Sequence, residues 1–339
     1  MALEDSSLMN QENMPLVTAV IPVYNHEKYV AESIRSILNQ TYRNIELIVL
    51  NDGSKDRSHE MILPLVEECK RRFVRFEYIN RENIGLSATL NQALAWARGE
   101  YFSALASDDV ALPEKIEVLV DALEAKGPTY AAAFGNAWII DDAGQRIRLD
   151  YDERISENAD GGTHADIMGH YTRGRKINYK GEDFGTYPSL IAGNYLPAMS
   201  NMVRTNPIRE AGGWTPGNMV EDVEMWLKLS KKFKFLYVDQ PVALYRWHQS
   251  NSMKVFTGKL RCAALVLLAK EKDFCLEHGL KKIWQDQYAG ILFSLLRDKT
   301  VPFSRKISAI EIAESWVILS GFMRRVVKKM LIASHLHTS

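Results

Sequence analysis

The stretch Glu-Tyr-Phe-Ser-Ala-Leu-Ala-Ser-Asp-Asp-Val-Ala-Leu-Pro-Glu, residues 100–114, decides the fold of this chain. An apolar run over residues 101–106 stops at Asp108 and Asp109, and Pro113 then opens a helical pattern, as proline does in a first helical turn. This predicts a buried strand with two carboxylates at its carboxyl end, where open α/β sheets bind ligands. Adjacent anions need a cation or hydrogen-bond donors, and Mg²⁺ or Mn²⁺ takes carboxylate oxygens. For this pair alone, a polar turn capping the next helix is the alternative.

The composition describes an ordinary globular protein and excludes several classes. Of 339 residues, 46% are hydrophobic and 25% charged, and Lys+Arg and Asp+Glu number 42 each, so no bulk attraction to nucleic acid is expected. The three cysteines have neither metal-ligand spacing nor an even count for a disulfide framework. Neither a signal-peptide pattern nor a run of ~18 apolar residues is present, so we expect a cytoplasmic protein.

Apolar runs alternate with helical patterns over the first 140 residues. Such alternation predicts an α/β fold, a doubly wound, mostly parallel sheet flanked by helices. No Gly-x-Gly-x-x-Gly follows the first strand and no Walker loop occurs, which argues against a common dinucleotide or ATP site. Polar groups instead follow successive strands and are expected to meet at one edge of the sheet. These groups are Tyr24-Asn25, Asp52-Gly53-Ser54, Asn83, Gly85 and Asp108-Asp109.

Four segments in this order resemble the donor half of family 2 glycosyltransferases with the GT-A fold. They are Pro22-Val23-Tyr24-Asn25, residues 51–56, residues 83–91 and Ser107-Asp108-Asp109. The resemblance is to family members of the bacterial surface-polysaccharide type, and it covers about the first 140 residues. It implies an inverting transferase that uses a nucleotide-diphosphate sugar and a divalent cation, Mn²⁺ or Mg²⁺.

The resemblance also implies roles for single residues. Asp52 would bond the pyrimidine ring, since a carboxylate accepts from the N3–H of uracil or thymine. Tyr24 would pack on the base, with a core-edge aromatic as the alternative. Asp108 would face the ribose or sugar and Asp109 would bind the metal, although Ala106 replaces a further aspartate of many relatives and leaves the principal ligand open. The other expected donor contacts are Pro22, Asn25, Gly53, Asn83, Gly85, Asn91, Ser107, Ser250 and Ser252.

The acceptor half is expected over residues 141–255. Glu221 and Asp222 begin a helix, where negative charge is favoured by the dipole, so simple helix-end chemistry is the alternative to function. Preceded by Gly-Gly-Trp214 and followed by Trp226, the pair resembles the acceptor site of the same family. The resemblance implies that Asp222 is the general base and that Glu221 either maintains the geometry of the site or contacts the acceptor. It also implies that Trp214 and Trp226 contact the acceptor.

Two further segments carry predictions. Residues 245–252 resemble the family's Tyr-Arg-x-His segment. The resemblance implies that His248 binds the metal and that Ser250 and Ser252 donate hydrogen bonds to the diphosphate. A structural role for His248 is the alternative. Residues 256–339 read as helical, and residues 322–332 alternate basic and apolar pairs. Such a helix can lie on the inner face of the plasma membrane, or it packs on its own core or a second subunit of a homo-oligomer.

The sequence therefore predicts an inverting, metal-dependent glycosyltransferase with three regions: a donor half (1–140), an acceptor half (141–255) and a helical extension (256–339). A UDP-sugar is the first expectation for the donor and a dTDP-sugar the second. The expected acceptor is a hydroxyl of a surface glycan, such as a lipid-linked O-antigen or capsule unit. A nucleotidyltransferase is one alternative, and a non-catalytic nucleotide-sugar-binding scaffold is the other.

Overall fold

A computed structural model of the protein describes residues 14–150, 152–156, 163–173, 178, 180–255, 257–298, 301–302 and 304–306, without the side chains of residues 252 and 253. The chain divides into two compact units, residues 1–187 with 195–248, and residues 188–194 with 249–339. The predicted functional boundaries at residues 140 and 255 stay predictions. The basic segment 322–332 lies outside the described residues, so its predicted membrane contact is not addressed by the structure.

The strands belong to the first unit. In chain order they are β1 (Val17–Val23), β2 (Ile45–Asp52), β3 (Arg75–Arg81), β4 (Tyr101–Ala104), β5 (Val110–Ala111), β6 (Tyr130–Ile140), β7 (Arg148–Leu149), β8 (Ile155–Ser156), β9 (Asn201–Arg204) and β10 (Lys234–Arg246). Eight of them form one sheet in the order β3-β2-β1-β4-β9-β6-β10-β5, and β7 pairs with β8.

The direction of the strands explains where the site lies. β3, β2, β1 and β4 are parallel neighbours. β9 runs antiparallel to both β4 and β6, and β10 is parallel to β6. The carboxyl ends of β3, β2, β1, β4, β6 and β10 therefore lie along one edge, and the predicted mostly parallel sheet is confirmed.

Helices cover the sheet and form the second unit. They are α1 (Val30–Leu38), α2 (Ser58–Ile62), α3 (Val66–Arg72), α4 (Leu86–Trp96), α5 (Lys115–Lys126), α6 (Ile167–Thr172), α7 (Tyr187–Ile191), α8 (Thr205–Glu210), α9 (Glu221–Ser230), α10 (Ser252–Val255), α11 (Thr257–Lys270), α12 (Lys272–Glu277) and α13 (Lys281–Arg297). The predicted helical C-terminal region is confirmed over the part that the structure describes. None of the described helices has both the length and the apolar character to cross a membrane.

The core lies between the central strands and their helices. Every residue of β2 is buried, as is all of β1 except Pro22, because parallel strands are covered on both faces. Ile34 of α1 and Leu119 of α5 are completely buried in the same cluster. Each such side chain stabilises the fold by about 1.5–3 kcal/mol. This core fixes the strand ends that carry the polar groups.

Pro22 occupies a central strand, where proline is usually excluded because it donates no ladder hydrogen bond. The oxygen of Val20 faces β4 and accepts from the N–H of Leu105. Pro22 is two residues further along β1, so its nitrogen faces the same side, beyond the last paired residue of β4, Ala104. The missing N–H therefore leaves no strand partner unsatisfied.

Two sequence patterns differ from the elements that they form, and both differences involve proline. The helical pattern that follows Asp56 and runs toward Arg72 is divided into α2 and α3, joined by a 3₁₀ turn at Leu63–Leu65, because Pro64 cannot donate an α-helical hydrogen bond. The two apolar stretches at residues 233–238 and 241–247 join in the single strand β10. Its register against β6 shifts on both sides of Pro241, as expected of a bulge that accommodates proline.

Candidate active site

The turns after β1 and β2 form one hydrogen-bonded rim. The N–H of Asn25 donates to Ser54 Oγ at 2.9 Å, and the N–H of Lys55 donates to Asn25 Oδ1 at 2.7 Å. The N–H of His26 donates to Ser58 Oγ at 3.0 Å. Asn25 has a φ of 56°, a left-handed conformation that asparagine tolerates better than most residues. These bonds fix the turn that carries Tyr24 and His26.

Asp52 is buried at the end of β2 and its carboxylate is held in one orientation. Oδ1 accepts from Arg81 Nη1 and from the N–H of Ile84, and Oδ2 accepts from the N–H of Gly85. Arg81 also donates to Thr89 Oγ1 at 2.8 Å. A carboxylate offers about four acceptor positions. One position, on Oδ2, is left for a ligand N–H.

The turn after Asp52 depends on close approach of two backbone segments. Gly53 has a φ of 73°, and a Cβ atom there would lie 2.5 Å from the backbone nitrogen of Asn83. The side chain of Asn83 donates from Nδ2 to the carbonyl oxygen of Asp52 at 2.7 Å. The turns after β2 and β3 are therefore packed against each other around Asp52.

Gly53→Ala is expected to destabilise the first unit by about 2 kcal/mol or more, because it adds a steric clash to an unfavourable φ. Gly212→Ala is the matched control, since Gly212 has a φ of 77° and no atom within 4 Å of an added Cβ. The control should lose about 1 kcal/mol, the cost of the conformation alone. Urea unfolding followed by circular dichroism measures both. Equal losses would show that the approach of Asn83 imposes no constraint.

A second group of side chains meets at the ends of β1, β4 and β10. His248 Nε2 lies 2.9 Å from Asp108 Oδ2, and His26 Nε2 lies 3.7 Å from the same oxygen. These three ligand atoms all lie within 4.8 Å of one another. Ser107 Oγ lies 2.8 Å from His26 Nδ1. Residues from three strand ends thus converge on one point.

The protonation states of this cluster suit metal binding. Burial would raise the pKa of Asp108, but the hydrogen bond from His248 and the charge of His26 outweigh it and lower that pKa. Burial lowers the pKa of His26 in spite of the opposing effect of Asp108, which favours the neutral ring. A carboxylate and neutral imidazole nitrogens are established ligand types for divalent metals. The donor set therefore fits the divalent cation that the sequence predicts.

Asp109 has different surroundings. Its Oδ1 accepts from the backbone N–H of Arg246 at 2.9 Å, and Arg246 Nε donates to the carbonyl oxygen of Asp108 at 2.9 Å. Burial, reinforced by the charge of Asp108, raises the pKa of Asp109 well above its ordinary value. The sequence predicted Asp109 as the metal ligand, whereas here it joins the turn to β10. Among the described residues, the ligand cluster contains Asp108 instead.

Glu221 and Asp222 begin α9 and share one electrostatic environment. Burial, followed by the charge of Asp222, raises the pKa of Glu221 to about 8. Asp222 Oδ1 accepts from the N–H of Val223 at 2.7 Å. Burial raises the pKa of the Tyr171 hydroxyl, and so do the charges of both Asp222 and Asp109. The charges of the predicted base, Asp222, and of Asp109 therefore both reach Tyr171.

Glu221→Gln is expected to remove a pH-dependent loss of stability. The folded protein keeps the Glu221 proton up to about pH 8, whereas the unfolded chain releases it near 4.5, so stability falls as pH rises through that window. The variant should match the wild type at pH 4 and gain about 1 kcal/mol or more at pH 9. Urea unfolding at both pH values measures this. Glu210→Gln, at an exposed glutamate, is the control; an equal gain there would contradict the assignment.

Comparison with known proteins identifies the first part of the chain. Residues 18–186 match the family model described as Glycosyl transferase family 2. Residues 18–186 belong to this family. The predicted resemblance is confirmed.

Named relatives match short stretches of this chain. An uncharacterized glycosyltransferase of Haemophilus influenzae is 44% identical over 114 residues, 33% of this chain and 34% of the relative. One from Rickettsia felis is 40% identical over 134 residues, 40% of this chain and 21% of the relative. The putative glycosyltransferase EpsH of Bacillus subtilis is 37% identical over 124 residues, 35% of each. The matched stretch thus spans about a fifth to a third of these relatives' length.

Solved structures share the fold. S. aureus TarS 1-349 in complex with UDP-GlcNAc has a TM-score of 0.56 and 14% identity, covering 87% of this chain and 79% of that one. The mannosyltransferase PcManGT from Pyrobaculum calidifontis, in complex with GDP-Man and Mn²⁺, has a TM-score of 0.51 and 13% identity, covering 96% and 87%. Both are GT-A glycosyltransferases, so the predicted GT-A fold is confirmed.

Three residues predicted as ligand contacts make packing or hydrogen-bond contacts within the protein. Asn91 Nδ2 donates to the carbonyl oxygen of Trp214 at 2.7 Å, and Asn91 Oδ1 accepts the Trp214 N–H at 2.9 Å. The indole of Trp214 is buried 5.7 Å from the Phe102 ring, and that of Trp226 is buried 5.0 Å from the Phe134 ring. Asn91 and Trp214 hold the loop before α9, Trp226 packs α9 against β6, and the predicted ligand contacts of all three stay predictions.

The remaining predicted donor contacts have different surroundings. Tyr24 is 50% exposed, so its ring is accessible for a base to stack on. Ser250 is exposed in the second unit, and the side chain of Ser252 is not described, so their contacts with a diphosphate stay predictions. Sequence reasoning missed Arg81 and His26. Arg81 is the last residue of β3 and lies opposite Asp52, and His26 lies in the turn after β1, next to Asn25. These positions were the available signal.

Proposed function

We propose that this protein is an inverting glycosyltransferase that moves a sugar from a nucleotide-diphosphate sugar to a hydroxyl of a glycan. UDP-sugars are the first choice of donor and dTDP-sugars the second. The proposed acceptor is a growing surface polysaccharide, such as a lipid-linked O-antigen or capsule unit. The observation that carries the proposal is the meeting of Asp52, with one free acceptor position, and the His26–Asp108–His248 cluster at one sheet edge of a family 2 domain.

The donor assignment rests on the chemistry of Asp52. Its Oδ2 accepts from Gly85 and has capacity for one further N–H, which uracil and thymine provide at N3. Arg81 donates to Oδ1 and so helps to fix the orientation of the carboxylate. Tyr24 offers its exposed ring beside the same turn. We therefore assign the base to the turns after β1, β2 and β3.

The diphosphate is assigned to the ends of β4 and β10. Asp108 and His248 would hold a divalent cation, Mn²⁺ or Mg²⁺, which when bound offsets the charge that develops on the leaving diphosphate. Arg246 joins the end of β10 to the turn after β4, because its backbone N–H donates to the Asp109 carboxylate and its Nε donates to the carbonyl oxygen of Asp108. Its Nη1 also donates to the carbonyl oxygen of Asp141 at 3.0 Å. A fixed turn of this kind reduces the reorganisation needed during transfer.

Asp222 is assigned as the general base. It would take the proton of the acceptor hydroxyl as that oxygen bonds to the anomeric carbon and the bond to the diphosphate breaks on the opposite face. Glu221, with a pKa raised to about 8, is protonated at neutral pH and so adds no second negative charge beside the base. In-line attack of this kind inverts the anomeric configuration.

The test is an assay of nucleotide release from UDP-glucose, UDP-galactose, UDP-GlcNAc and dTDP-glucose, with Mn²⁺ and a panel of glycan acceptors. We expect release of UDP or dTDP, and NMR of the product should show an inverted anomeric carbon. Release of pyrophosphate would support the nucleotidyltransferase alternative. Nucleotide binding without any release would support the scaffold alternative. The turn from Tyr24 to Tyr29 contains no glycine, which already disfavours the nucleotidyltransferase.

A further inference from the structure

We infer that His26 is a third protein ligand of the divalent cation, so that two imidazoles and one carboxylate form the metal site. The inference rests on the proposed function only for the presence of a cation. His26 is not one of the metal ligands that the sequence predicted, which are Asp109 and His248. The inference also changes the metal that the site is expected to prefer.

The spacing of the three atoms supports this assignment. Two atoms bound about 2.1 Å from one ion lie about 3 Å apart when they are at right angles. His248 Nε2 and His26 Nε2 lie 2.9 Å and 3.7 Å from the same oxygen of Asp108. All three atoms lie within 4.8 Å of one another, a grouping that could hold one metal ion.

The second ring nitrogen of His26 has the partner that a ligating histidine needs. Ligating histidines donate their other N–H to a neighbouring acceptor, which fixes the tautomer and the ring orientation. His26 Nδ1 lies 2.8 Å from Ser107 Oγ, and Ser107 is almost completely buried. Donation from Nδ1–H to this hydroxyl leaves the lone pair of Nε2 directed to the side of Asp108.

The backbone and the neighbouring rings hold His26 in place. Its N–H donates to Ser58 Oγ, which in turn donates to Asp56 Oδ1 at 2.6 Å. Its ring packs edge-to-face against His248, with centroids 6.0 Å apart, and against Tyr29 at 6.1 Å. The ring is therefore positioned before any ligand binds, as expected of a metal ligand on a rigid scaffold.

This donor set predicts metal selectivity. Mg²⁺ prefers oxygen ligands, whereas imidazole nitrogen favours transition metals. A site with two imidazoles is therefore expected to bind Co²⁺ and Mn²⁺ more tightly than Mg²⁺. The remaining coordination positions are available to diphosphate oxygens of the donor.

The experiment measures Mn²⁺ binding to the full chain by electron paramagnetic resonance, without and with UDP. We expect nitrogen couplings from two imidazoles in the wild type and from one in His26→Ala, with at least a ten-fold loss of Mn²⁺ affinity. His26→Asn retains a donor toward Ser107 but lacks the second ring nitrogen, and it should behave like His26→Ala. His278→Ala, at an exposed histidine of the second unit, should match the wild type.

The outcomes separate this inference from the proposed function. Tight Mn²⁺ binding with one imidazole coupling, unchanged in folded His26→Ala and His26→Asn, would overturn the role of His26 and leave the proposed function intact. Loss of one coupling in both variants, with normal unfolding curves, would support it. Absence of Mn²⁺ binding in the wild type, even with UDP, would overturn both.

Discussion

Asp222→Asn is expected to lower the turnover of sugar transfer about 10²–10⁴-fold and to leave UDP affinity nearly unchanged. The amide has the shape of the carboxylate but cannot take the acceptor proton. Asp222 lies in the first turn of α9 and is not part of the turns after β1, β2 and β3, to which we assign the base of the donor. Steady-state transfer rates and calorimetric UDP binding on the same preparation measure the two effects.

Asp286→Asn, at an exposed aspartate of α13, is the matched control and should retain full turnover. Unchanged turnover in Asp222→Asn would remove Asp222 as the base. A parallel loss of UDP affinity would instead indicate that the substitution distorts the donor site. Retention of the tyrosine environment around Tyr171 can be checked by near-ultraviolet circular dichroism.

Asp108→Asn is expected to remove the Mn²⁺-dependent gain in UDP affinity, a loss of about 100-fold or more, because an amide oxygen is a much weaker ligand than a carboxylate. Asp109→Asn should retain most of that gain. Its amide oxygen can still accept the N–H of Arg246, which is the contact that Asp109 makes here. Calorimetric titration of UDP, with and without Mn²⁺, measures both variants.

The comparison of these two variants decides a point that the sequence left open. The absence of a carboxylate at Ala106 gave no basis for choosing between the adjacent aspartates. Loss of the Mn²⁺ effect in Asp109→Asn alone would restore Asp109 as the ligand. Loss in both would indicate that the turn, rather than one oxygen, is required.

Much of the fold could be predicted because the central strands are apolar on both faces. The apolar runs at residues 17–23 and 130–140 form β1 and β6 with those bounds. Pairing partners were less accessible, since the order of strands depends on contacts distant in sequence. β9 lies between β4 and β6 and runs antiparallel to both. It contains only Asn201–Arg204, which is too short to give a clear sequence pattern.

The site was predictable where a carboxylate or imidazole stands at the end of a strand or shortly after it, as at Asp52, Asp108 and His248. Arg81 and His26 could not be assigned because their roles depend on side-chain direction. The guanidinium of Arg81 meets Asp52 across neighbouring strands, and His26 meets Ser107 from another turn. Trp226 is buried on the apolar side of α9 against Phe134, and its predicted acceptor contact stays a prediction.

The central claim is that one sheet edge binds a pyrimidine nucleoside diphosphate through Asp52 and a divalent cation through the Asp108 cluster. Calorimetric binding of UDP, dTDP, GDP and CDP to the wild-type chain, each with and without Mn²⁺, tests it most directly. The account predicts tight, Mn²⁺-dependent binding of UDP or dTDP, with weak binding of GDP and CDP. Preference for GDP, or equal binding of all four without Mn²⁺, would contradict it.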